Sequence, residues 1–133
     1  MSYEVSIIPK ENYLHVSVSG HSTFDNAVDL WQKIVTACKS HDCFNILGEQ
    51  KAVNPTSTMD AWNHQQIFAA AGITTKYLIA WVDHNPRTFE QTEFVRTVLA
   101  NRGMGYGKIF SDTEKAKNWL LNKIEEKKKK SSA

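Results

Sequence analysis

Six consecutive apolar residues, Tyr77, Leu78, Ile79, Ala80, Trp81 and Val82, lie between polar Thr74-Thr75-Lys76 and the turn-like Asp83-His84-Asn85-Pro86. Such a run is the length of a strand, and a strand sends successive side chains to opposite faces. A strand that is apolar at every position has to be covered on both faces. The run is what a central strand covered on both faces would show.

The neighbouring residues supply those layers. Tyr3, Val5 and Ile7 alternate up to Pro9, and Leu14, Val16 and Val18 alternate up to Gly20. The short polar link Lys10-Glu11-Asn12 between the two runs predicts a hairpin. Residues 24–39 have helical spacing, with Phe24, Ala27, Trp31, Ile34 and Cys38 in one stripe. Residues 44–48 predict a short strand, 58–71 a helix stopped at Gly72, 89–102 a helix stopped at Gly103, 107–110 a strand, and 113–126 a last helix. Four capping patterns mark the helix starts: Ser22-x-x-Asp25, Ser57-x-x-Asp60, Thr88-x-x-Gln91 and Ser111-x-x-Glu114. The predicted order is β-β-α-β-α-β-α-β-α. It describes a single-domain α/β protein with a mixed five-stranded sheet and four helices over residues 1–126.

Charge adds a boundary. The chain has 133 residues with 16 Lys and Arg against 14 Asp and Glu, yet four of those lysines are consecutive at 127–130. Without them the body is slightly acidic, which argues against a nucleic-acid partner. Residues 127–133 are expected to fray as a disordered lysine-rich tail. No secretory leader and no apolar run of membrane-spanning length is seen, so no integral membrane association is expected. Two cysteines, Cys38 and Cys43, suit free thiols in the cytoplasm. Cys38, His41 and Cys43 are close in sequence but lack the further ligands zinc needs, and no cofactor motif occurs, so neither metal nor cofactor is expected. Gly103-Met104-Gly105-Tyr106-Gly107 precedes a strand, the reverse of a phosphate loop, and is expected to be a flexible connection.

Leu14-His15-Val16-Ser17-Val18-Ser19-Gly20, the first helix, and the ending Lys108-Ile109-Phe110-Ser111-Asp112-Thr113-Glu114-Lys115-Ala116-Lys117-Asn118-Trp119-Leu120 together resemble the SpoIIAA-like family. The fold of that family is shared with STAS domains of anti-sigma-factor antagonists. The resemblance covers about residues 3–122 and implies a SpoIIAA/STAS-like domain. In antagonists a Ser or Thr at the start of the second helix is phosphorylated within an Asp-Ser-Gly type motif. Here Ser57 and Thr58 fall at that place as a possible phospho-acceptor or anion site, while the motif is absent and the preceding loop is longer.

Ligands of open α/β sheets favour the crevice beyond the carboxyl ends of parallel strands. Glu49, Asp83, His84 and Arg87 are expected there, with Trp62 on an unusually apolar second helix. His15, opposite in parity to Leu14 and Val16, is expected to face solvent or a partner. Three functions follow. One is a noncatalytic regulatory module of the STAS type, acting on a protein partner or as a homodimer. The alternative is a domain binding a small apolar or anionic molecule beside the second helix, since the fold also resembles CRAL-TRIO lipid carriers. An enzyme using Asp83, His84 and Glu49 is the third, and it lacks a nucleophile, base and orienting group at recognisable spacing.

Overall fold

Every residue of the expected central strand is buried, and the reason is visible in the layers around it. The computed structural model describes residues 3–20, 23–52 and 61–131. Its elements run β1 (Tyr3–Pro9), β2 (Leu14–Gly20), α1 (Phe24–His41), β3 (Asn45–Ala52), α2 (Ala61–Ala71), β4 (Leu78–Asp83), α3 (Phe89–Asn101), β5 (Tyr106–Phe110) and α4 (Thr113–Ser131). The sheet order is β1-β2-β3-β4-β5. β1 is antiparallel to β2, and β2 through β5 are parallel.

Consecutive parallel strands that step in one direction, each through a crossover of the same hand, place all their helices on one face. Accordingly α1, α2 and α3 pack on one side with Val16, Ile46, Ile79, Trp81 and Ile109. α4 follows the last strand and makes no crossover, so it closes the other side, packing Ala116, Leu120 and Ile124 on Leu47, Leu78, Ala80 and Val82. The unbroken apolar run of β4 therefore serves two cores in alternation.

The helix starts differ from expectation in detail. α1 is capped by Thr23, whose Oγ1 accepts from the Asn26 N–H at 3.1 Å, rather than by Ser22, which lies outside the described residues. Thr88 makes no cap to α3; its hydroxyl donates instead to Asp83 Oδ2 at 2.7 Å. α4 is capped by Asp112, whose Oδ2 accepts from the Lys115 N–H at 2.9 Å, rather than by Ser111. A carboxylate one position nearer the helix outcompetes the hydroxyl because it also meets the positive end of the helix dipole. Asp112→Ala is therefore expected to cost about 1 kcal/mol in urea unfolding, and Ser111→Ala next to nothing.

α2 stops where Gly72, at φ 79°, turns the chain and the Ile73 N–H reaches the Phe68 carbonyl at 3.1 Å. The expected end of α4 at Glu126 is not an end. The helix runs on through the four lysines to Ser131, so these do not form a frayed tail. Lysine is a good helix former and its charge suits the negative C-terminal end of the dipole. Ion pairs Lys123–Glu126 at 3.3 Å and Lys128–Glu125 at 3.9 Å stand along the same turns.

Candidate functional site

The register of the sheet sorts the expected site residues onto two faces. Glu49 lies in the row Ser17–Glu49–Val82–Phe110, on the α4 side. The next row, Val18–Gln50–Asp83, faces α3. Glu49 and Asp83, expected to converge in one crevice, are thus divided by the sheet.

On the α4 side Glu49 is the centre of a polar cluster. Its Oε2 accepts from His15 Nε2 at 2.6 Å, and its Oε1 accepts from His84 Nε2 at 3.0 Å and from Thr113 Oγ1 at 2.7 Å. The carboxyl is 12% exposed. Burial on its own would raise the pKa, but the three hydrogen bonds, those of Thr113 and His15 foremost, outweigh it and bring the group down to about 2. A carboxylate only accepts, so each imidazole presents a protonated Nε2 to it. Two imidazoles and a carboxylate are ligand types for zinc. Here the Nε2 of each ring is spent on the carboxylate itself, and among the described residues no group of three such side chains is placed to hold a metal.

On the other side Asp83 is 2% exposed. It accepts from Thr88 Oγ1 at 2.7 Å, Thr92 Oγ1 at 2.8 Å and the Asn85 N–H at 3.0 Å. These bonds tie the β4–α3 turn, with the Arg87 N–H on Asn85 Oδ1 at 2.9 Å continuing it. Asp83 therefore anchors a loop to a helix. The Arg87 side chain is exposed, and no described contact joins it or Trp62, 64% exposed on α2, to Glu49. Ser57 and Thr58 lie outside the described residues.

His15 and Thr113 belong to the cluster without having been expected there. His15 has the parity anticipated, but its side chain is only 25% exposed and is bound to Glu49 rather than left to solvent. Parity within one strand does not reveal which neighbour lies across the register, and that was the missing signal. Thr113 was visible only as the first residue of a helix.

The α1–α3 face also holds an open cavity of about 170 Å³ between the three helices and the sheet. Trp31, Phe68, Trp81, Val95 and Leu99 supply its apolar wall, with Gln50 and Arg96 among its polar lining. The Trp31 ring lies 4.6 Å from that of Phe68 and 5.3 Å from that of Trp81, centroid to centroid. Cys38 is fully buried on the same face of α1, and burial, with Cys43 nearby, pushes its thiol up to about 12, so it is inert as a nucleophile. Among the described residues no helix is long and apolar enough to cross a membrane.

No family model matches the chain, and no curated protein does. Among solved structures, an uncharacterized protein of the DUF3478 family with a SpoIIAA-like fold, from Shewanella loihica PV-4, is similar with a TM-score of 0.56 and 17% identity. The match covers 89% of this chain and 93% of that one. The fold is accordingly SpoIIAA-like, with the mixed five-stranded sheet and four helices that the sequence predicts.

Proposed function

We propose that this chain is a noncatalytic binding module whose cavity beneath α1, α2 and α3 takes a small apolar molecule. The cavity carries the reading. Ligand sites are concave, mainly apolar and supplied with a few polar groups, and this one has tryptophan and phenylalanine walls with glutamine and arginine beside them. The absence of catalysis is supported by the separation of Asp83 from Glu49 and by the state of Glu49. A carboxylate held near pKa 2 by three donors is a poor general base at neutral pH. Two free thiols, Cys38 and Cys43, suit a cytoplasmic setting.

A regulatory, protein-contacting role of the STAS type is the second reading. It is favoured by Trp62 on α2 and Phe94 on α3, 64% and 59% exposed on helices that pack against each other. Native mass spectrometry of the chain purified without denaturation separates the two. A retained small-molecule mass on the monomer is the expected result. A ligand-free dimer that loses its second copy on Trp62→Ser would overturn the cavity reading in favour of the interaction module.

A further inference from the structure

We infer that the cavity selects a single-ring aromatic carboxylate, its ring against the wall that Trp31, Phe68 and Trp81 form and its carboxylate on Arg96. The inference rests on the binding reading above and names the ligand class.

Size sets the first term. The volume of about 170 Å³ is close to that of an apolar cavity of about 150 Å³ that accepts benzene, so one ring with a short arm is the natural occupant. Aromatic walls already arranged at tilted angles offer such a ring both edge and face contacts.

Charge sets the second term. Among the described residues that line the cavity there is no Asp or Glu. Asp83, on the same face, is sealed by Thr88 and Thr92 and does not reach the lining. Arg96 does. Its guanidinium donates to the Gly107 carbonyl at 3.4 Å and to Thr97 Oγ1 at 3.1 Å, and it forms no ion pair with any of the described residues. Those two bonds leave further N–H donors of a planar fork that matches a carboxylate. Gln50 adds to the donor surplus, because its Oε1 is used by the Trp81 indole N–H at 3.2 Å and its amide N–H groups remain unused among the described residues. Lys108 also borders the cavity, but alternation along β5 and its place 5.5 Å over the Phe110 ring put its ammonium on the α4 face. Arg96 is therefore the anion anchor, and a cavity whose described lining has donors and no carboxylate disfavours amines.

The test titrates the full chain with 3-phenylpropionate, 3-phenylpropanol and 3-phenylpropylamine, following heat and the fluorescence of the wall tryptophans. The acid is expected to bind about tenfold tighter than the alcohol, as one charge-assisted pair implies, and the amine weakest. Arg96→Gln should bring the acid to the level of the alcohol while the alcohol is unchanged. Equal binding of acid and alcohol in the parent chain, or an acid preference that survives Arg96→Gln, overturns the anchor and leaves the cavity reading standing. Failure of all three to bind at millimolar concentration overturns both.

Discussion

Glu49→Gln is expected to lower the unfolding free energy by about 3 kcal/mol at pH 7, and the deficit should disappear in acid. The size follows from linkage. The carboxyl falls from an ordinary 4.5 to about 2 in the folded chain, and each unit is worth about 1.36 kcal/mol. Gln has the shape of the protonated acid and lacks its charge, so the variant reports the contribution of the charged form. The sign is that of a depressed acid. Its stabilisation is complete above the unfolded pKa near 4.5 and is lost as pH falls through the folded value near 2. Urea unfolding of both chains between pH 7 and pH 3 is the measurement. The difference should be flat down to about pH 5 and roughly halved by about pH 3. A difference that stays constant to pH 3 would show that the three donors serve shape alone. His15→Ala and His84→Ala, each removing one donor, should reproduce part of the loss.

That cluster also marks how far the sequence could be followed. The apolar run at 77–82 demanded two covered faces, and the structure supplies them with three helices on one side and α4 on the other. The hairpin, the alternation in β1 and β2, and the buried stripe of α1 were all periodic signals, and periodicity survives folding. What the sequence did not contain was register across strands. Glu49 and His84 are joined as expected, although β3 runs past Glu49 to Ala52 and only His84 follows a strand end. Asp83 was grouped with them wrongly, although it is next to His84, because adjacent residues point to opposite faces. His15 joins from an earlier strand, so only the paired sheet brings it to Glu49. Caps erred by one residue at α4, where Asp112 and Ser111 are both chemically competent and only the path of the chain decides. The cavity lies on the α1–α3 face, and none of Glu49, Asp83, His84, Arg87 or Trp62, the residues expected at a ligand crevice, lines it. Its polar members Gln50 and Arg96 were not foreseen, since they come from a strand and a helix far apart in sequence.

Gly107→Ala should be the most damaging methyl that can be added to this chain. Gly107 pairs with Ile79 in the β4–β5 ladder. A Cβ there would stand 2.0 Å from the Ile79 carbonyl oxygen and 3.0 Å from its carbonyl carbon. Backbone in the central strand cannot turn aside as a side chain does, because β4 is held by hydrogen bonds to both β3 and β5. The only relief is to displace β5, which would strip cover from Ile109 and disturb the Arg96 contact with the Gly107 carbonyl. Gly48 provides the contrast. A Cβ at that position would meet the Trp81 ring at 2.3 Å, a side chain rather than backbone, and one that borders the open cavity. Overpacking in a well-filled interior costs about 1–3 kcal/mol. Gly48→Ala should fall in the lower half of that range, and Gly107→Ala at about 3 kcal/mol or beyond it. Chemical unfolding of the two variants side by side decides the matter, and a Gly107→Ala chain as stable as Gly48→Ala would mean that β5 is not locked against β4 at this row. The same pair separates stability from binding. Gly48→Ala presses on a wall of the cavity and should weaken 3-phenylpropanol binding even where the fold is retained.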